Sequence, residues 1–262
     1  LQKINSFFKK RKINHKLINQ TNTGPSIAIN NALKKVKFSF IKLVDGDDIL
    51  APDAIDFMFN TMVNSQLDLL YGHWKWVEDP EKYSFKKIQN NQTKIMNNAI
   101  TKFLAIGWGG SSNLMIKTES FKSVGGCDEN IFVQDYSIPL RIAGNHLKSN
   151  SNKQYKIATT SKLICVCPKF ITNRIMDNSG QTVYDLSIAS LNFLDEHNLL
   201  EQKEKDVVLK KIISRCWKWA LRKNSKGYFS KEFRIYLKSK LGLKYSPEFV
   251  RYLVYQIWRK EE

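Results

Sequence analysis

The sequence predicts an α/β protein: a mostly parallel sheet with helices on both faces, continued by a helical C-terminal extension. Three observations predict it. Short apolar runs rich in aromatic and β-branched residues alternate with stretches of helical periodicity over the first 178 residues. Gly, Pro, Asn and Asp punctuate the joints between them. From Gln181 onward only the helical period remains. The expected organisation is a sheet domain over 1–178 and a helical region over 179–262. At 262 residues, 42% hydrophobic and 12% aromatic, the chain can bury a sizeable core, which excludes a disordered, collagen-like or stapled scaffold.

Taken in order, residues 4–12 carry a helical pattern and 16–19 read as a short strand. Asn22-Thr-Gly-Pro is a turn signal, and Ser26 starts a helix with Ile27, Ala28, Ala32 and Leu33. Residues 38–44 (FSFIKLV) read as a buried strand that runs into Asp45-Gly-Asp-Asp48. A helix follows from Pro52, since proline is tolerated in a first turn. Residues 67–77 form the next strand, 79–100 a polar loop with an edge element, and 107–112 a flexible glycine segment before a strand over 113–116. Gly125-Gly126 is a tight turn, Asp135 opens a helix that ends near Gly144, and 162–166 are another strand. Val183, Leu186, Ala189, Leu191 and Leu194 begin the helical region, and 207–221 repeat the pattern.

Lys and Arg number 42 against 24 Asp and Glu, a net charge of +18. No acidic residue precedes Asp45, and residues 201–262 carry 17 basic and 7 acidic side chains. Such surfaces attract nucleic acid, anionic headgroups or phosphorylated molecules. No zinc finger, basic-zipper heptad or aromatic RNA-binding strand accompanies the charge, so no specific nucleic-acid partner is expected. The 4 cysteines form no C-x-x-C pair, which points to a reducing compartment. No apolar run reaches the ~20 residues of a spanning helix.

The cluster Asp45, Asp47, Asp48 is the sharpest chemical feature. Carboxylates this close repel, and Mg²⁺ or Mn²⁺ suits hard oxygen donors shared with phosphates. The same residues equally read as a solvated turn whose charge favours the next helix N-terminus. An EF-hand is excluded because Ile49 falls at a ligand position. Asp135, at the start of a helix with Arg141 nearly two turns on, reads either as a cap or as a general base aimed into a cleft. The histidines (His15, His73, His146, His197) share no metal spacing. Trp74 and Trp76 alternate along a strand as a packing face, and the basic, aromatic stretch 249–260 reads as a helix packed on the domain or docked on a membrane surface.

Five segments together carry a resemblance: 22–30 (NTGPSIAIN), 38–55 (FSFIKLVDGDDILAPDAI), 109–117 (GGSSNLMIK), 124–129 (VGGCDE) and 133–144 (VQDYSIPLRIAG). In order and spacing they resemble the successive motifs of the family 2 glycosyltransferases with a GT-A fold, over roughly residues 15–145. The resemblance implies a GT-A-like, Rossmann-like sheet and an inverting transfer of a sugar from a nucleotide-diphosphate sugar to a hydroxyl acceptor. Asp45 and Asp47 would hold the metal. Asp48, Asn22, Gly24 and Asn30 would join them at the donor. Trp108, Gly109, Gly110, Ser111, Gln134 and Arg141 would line the substrate, and Asp135 would be the base. Arg174 could reach a diphosphate or the acceptor.

Two departures stand out. Gln134-Asp135 replaces the family's Glu-Asp, and the family's opening strand, helix and strand, which grip the nucleobase, are largely not in the sequence, so an N-terminally truncated domain is expected. The basic flanks suggest a cytoplasmic protein, peripheral at the inner membrane face, working on a glycan or lipid-linked acceptor in surface polysaccharide or lipopolysaccharide synthesis. The rival readings are a non-catalytic fragment, a basic nucleic-acid-binding protein, and a nucleotidyltransferase, against which the missing glycine- and lysine-rich phosphate loop counts.

Overall fold

The computed structural model of the chain describes residues 2–86, 91–106, 110–147, 151, 153–169, 179–197, 200–223 and 227–258. Helices α1 (Gln2–Lys10) and α2 (Pro25–Leu33) precede strands β1 (Phe40–Lys42) and β2 (Ile49–Leu50). Then come α3 (Ala54–Asn64), β3 (Leu69–Val77), β4 (Thr93–Ile95), α4 (Ala99–Ile106), β5 (Leu114–Lys117), α5 (Thr118–Ser123), α6 (Gln134–Gly144) and β6 (Ile157–Pro168). The expected strand over 16–19 is irregular and exposed at Leu17 and Ile18 instead.

The strands form one sheet in the order β1-β5-β3-β6-β2, with β4 also paired to β6. The expected mostly parallel sheet is corrected to a mixed one: only β3 and β6 pair in parallel, and the other four pairings are antiparallel. Two of the four come from β2 and β4 running against β6, and two from the placement of β5. Strands β1, β3 and β6 do run the same way, as strand–helix alternation demands, but β5 runs back between β1 and β3. β1 is correspondingly a half-buried edge strand rather than a buried one, and Phe38 before it is 77% exposed.

Helices on both faces are observed. Successive strand residues point to opposite sides, so Leu70, Met115 and Ala158 pack with Met58 and Met62 of α3. Their neighbours Leu69, Tyr71, Leu114, Ile116 and Ile157 enter the larger cluster with Phe103 of α4, Phe121 of α5 and Ile138 of α6. Each such side chain, fully buried, contributes roughly 1.5–3 kcal/mol.

The C-terminal helices α7 (Ser179–Glu196), α8 (Gln202–Lys223), α9 (Lys231–Lys240) and α10 (Pro247–Trp258) contribute Leu191, Ile212, Ile235 and Leu253 to that same cluster. The boundary expected near residue 178 lies outside the described residues. Among the described residues, no helix is long and apolar enough to cross a membrane.

Candidate active site

The aspartate cluster lies just beyond the end of β1. Asp48 N donates to Asp45 O at 3.2 Å, closing a turn. Because β1 and β5 are antiparallel neighbours, with Lys42 opposite Met115, the residues that leave β1 face those that enter β5. Asp45 N accordingly donates to Ser112 Oγ at 2.8 Å. Lys42 Nζ donates to Leu43 O at 2.8 Å and to Ser112 O, tying the aspartate turn to the segment that enters β5.

Charge is concentrated here. Burial lowers Lys42 to about 8, against the pull of Cys165, Asp45 and Asp48 in the opposite direction. Asp45 stays solvent-accessible, yet the protein mass behind it pushes it up to about 6, helped by Asp48, Asp135 and Asp47 and opposed by a hydrogen bond with Ser111. Four carboxylates therefore feel one another, while the nearby ammonium is committed to two carbonyls. Such a surplus of oxygen donors and negative charge is the environment a hard divalent cation prefers.

Asp135 occupies the first turn of α6, half-buried. Its Oδ2 accepts from Gly110 N at 2.5 Å, and its own and Tyr136's N–H groups also point to it. Desolvation outweighs these bonds and raises the carboxyl above its ordinary range. Gln134 Nε2 donates to Ser111 Oγ at 3.2 Å, a second link between α6 and the glycine–serine segment. Gly110 has φ +110°, and a Cβ there would lie 2.7 Å from Asn113 Oδ1. That oxygen is buried without a partner among the described residues. The structure thus gathers Asp45, Asp48, Gly110, Ser111, Gln134 and Asp135 into one constellation.

Other expected residues fall elsewhere. Asn30, expected at the donor, bridges two segments: its Nδ2 donates to Cys127 O and Glu129 Oε1 at 3.0 and 2.9 Å, and its Oδ1 accepts from Cys127 N at 2.8 Å. Both amide hydrogens are spent on holding the turn at Gly126 (φ +72°) against α2. Arg141 sits six residues past Asp135 on α6, about 9 Å along the axis, and packs near Gly125. Asn22 and Gly24 form the turn that opens α2, with Gly24 N donating to Asn22 Oδ1 at 3.2 Å. Trp108, Gly109 and Arg174 lie outside the described residues.

Sequence reasoning missed two supports. Lys42 hides inside an apolar strand, and its position beside three aspartates was the available signal. Asp185, on α7, accepts from Phe132 N and Val133 N at 2.7 and 3.3 Å and from Gln181 Nε2 at 2.7 Å, just ahead of Asp135. Tyr136, next to Asp135, hydrogen-bonds Ser190 at 3.0 Å and accepts from Arg215 at 3.3 Å. The start of α6 is therefore fastened to α7 and α8, and no local motif announces that.

Comparison with known proteins followed from this geometry. The family described as Glycosyl transferase family 2 matches residues 1–125. A curated relative, an uncharacterized glycosyltransferase of Methanocaldococcus jannaschii, is 26% identical over 50% of this chain, which spans 44% of that relative. Among solved structures, S. aureus TarS in complex with UDP-GlcNAc superposes with TM-score 0.53 at 16% identity, covering 83% of this chain and 60% of TarS. The mannosyltransferase PcManGT of Pyrobaculum calidifontis, in complex with GDP-Man and Mn²⁺, gives TM-score 0.54 at 12% identity over 100% of this chain and 74% of that one. At these identities the structures establish a shared fold.

Proposed function

We propose, from the match of residues 1–125 to Glycosyl transferase family 2 and the fold shared with solved glycosyltransferases, that the protein is an inverting glycosyltransferase that uses a nucleotide-diphosphate sugar. The observation that carries the reading is the pairing of Asp135 with Gly110: a half-buried carboxylate of raised proton affinity, held by one oxygen across from the aspartate turn. Raised proton affinity makes a carboxylate a stronger base toward a hydroxyl proton, and general-base catalysis supplies roughly 10²–10⁴-fold of rate.

Asp135 removes the proton from the acceptor hydroxyl as that oxygen attacks the anomeric carbon from the face opposite the leaving diphosphate, which inverts the configuration. Asp45 and Asp47 would hold Mg²⁺ or Mn²⁺, which would neutralise the charge of the leaving diphosphate. Lys42 holds the aspartate turn against Ser112, and Asn113 Oδ1 offers a buried acceptor to a sugar hydroxyl. UDP-GlcNAc on TarS and GDP-Man with Mn²⁺ on PcManGT support a donor of this class. The basic C-terminal region suits a glycan or lipid-linked acceptor presented at an anionic membrane surface.

The test is a panel of sugar nucleotides assayed for Mn²⁺-dependent binding and for transfer. Asp135→Asn should abolish transfer and leave donor binding intact, whereas Asp47→Ala should weaken the metal-dependent binding itself. Turnover retained by folded Asp135→Asn removes Asp135 from the base role. An unchanged Mn²⁺ titration in Asp47→Ala removes Asp47 from the metal.

A further inference from the structure

A second cluster of ligating atoms starts at the end of the aspartate turn and runs away from it onto β6. Asp48, Cys165 and Cys167 each offer one atom, and these three atoms lie within 4.8 Å of one another. We propose that they form a binding site for a soft divalent cation of the Zn²⁺ type, distinct from the all-oxygen pair Asp45 and Asp47.

Strand geometry builds the cluster. Cys165 and Cys167 are two residues apart on β6, so their side chains share one face. β2 runs antiparallel to β6 with Ile49 opposite Val166 and Leu50 opposite Cys165. One step further back, that register sets Asp48 opposite Cys167. The proximity of the three ligand atoms agrees with that register. On the other flank of β6, Trp74 and Trp76 of β3 stand beside Cys165 and Cys167 in the ladder. Their rings meet edge to face at 5.1 Å. Cys165 and Cys167 are only 1% and 9% exposed, and Asp48 is half-buried.

The donor chemistry selects the metal. Two thiolates with one carboxylate suit Zn²⁺ rather than Mg²⁺ or Mn²⁺. With bonds of about 2.3 Å to sulfur and about 2.1 Å to oxygen, a tetrahedral ion needs ligand atoms roughly 3.5–3.8 Å apart, so the three close by about 1 Å and water takes the fourth corner. A disulfide suits the pair less well. Alternate residues of a strand are separated by about 6.6–6.8 Å between Cα atoms, the upper end of what a disulfide spans. Binding displaces a proton from each thiol to solvent and ties Asp48 to β6.

The full chain, stripped with chelator and kept reduced, is titrated with Co²⁺ as a spectroscopic probe. The proposal expects a thiolate-to-cobalt charge-transfer band that saturates at one equivalent, is displaced by equimolar Zn²⁺ and is untouched by excess Mg²⁺. Cobalt on the all-oxygen Asp45–Asp47 pair gives no such band, so the two sites are read separately and neither needs transferase activity. Cys165→Ser with Cys167→Ser should abolish the band, and Asp48→Asn should weaken binding about tenfold or more. Where the double variant does not fold, Cys165→Ala and Cys167→Ala singly, checked by circular dichroism, should each lower affinity about 100-fold or more. No band in the native chain, a band that persists in the folded double variant, or unchanged affinity in either folded single variant overturns the proposal.

Discussion

The carboxylate of Asp185 accepts the backbone N–H of Phe132 at 2.7 Å, with Val133 N on the same oxygen at 3.3 Å. A side chain on α7, 50 residues further along the chain, therefore fixes the backbone two and three residues ahead of Asp135. Asp185 is 1% exposed, and burial raises its proton affinity against the three hydrogen bonds it accepts.

Asp185→Ala should strip both N–H groups of their partner, at about 1–3 kcal/mol of stability. Loosening the entry to α6 should lower kcat by about 10–100-fold with little change in donor KM. Thermal melts and steady-state kinetics on the same preparation separate the two effects. A variant that melts lower and keeps its kcat would show Asp185 supports the fold alone.

The raised Asp45 predicts that the proposed metal binding depends on pH. The group holds its proton up to about pH 6, against an ordinary value of 3.8, and only the carboxylate binds a cation. Mn²⁺ affinity should therefore be full above about pH 7 and fall by about tenfold per unit below 6. Calorimetric titrations between pH 5 and 7.5 check this, and Asp45→Asn should flatten what remains of the profile. A flat profile in the native chain would mean that Asp45 stays charged throughout.

Asn30→Ala should destabilise without touching the donor site. Its amide bridges α2 to Cys127 and Glu129 through three hydrogen bonds, so truncation leaves a buried N–H and a carbonyl unpaired. The expected cost is about 1–3 kcal/mol, read by chemical denaturation, with sugar-nucleotide affinity unchanged. A specific loss of affinity at unchanged stability would return Asn30 to the donor.

Gly110→Ala should impair transfer more than folding. At φ +110° any Cβ is strained, and this one would also meet Asn113 Oδ1 at 2.7 Å. Relief moves Gly110 N away from Asp135, which loses a bond to its charged form. About 1–3 kcal/mol of strain confined to one turn predicts a small shift in Tm beside a marked fall in kcat.

What the sequence revealed was whatever its chemistry concentrates in contiguous runs. Asp45 to Asp48, the segment from Gly110 to Asn113 and the Asp135 helix each stand in one short stretch, and the structure brings them together. Long-range pairing was not legible. Nothing local in Leu114 to Lys117 says that β5 reverses between β1 and β3. The first half of β6 was missed because Thr159, Thr160, Ser161 and Lys162 interrupt its apolar run. The bridge made by Asn30 was not legible either, because its partners are 97 and 99 residues away.

The reversed course of β5 also governs the order in which the molecule can assemble. β1 makes its only strand pairing, among the described residues, with β5, whose residues follow some 70 positions later. The aspartate turn thus has no partner until the chain has been synthesised past Lys117 and has closed that long loop, a step that slows folding in proportion to the entropy it consumes. The turn also sits at the sheet's margin, where opening is easiest. Catalytic competence should consequently arrive late in refolding and depart early in unfolding, ahead of the β3–β6 centre of the sheet.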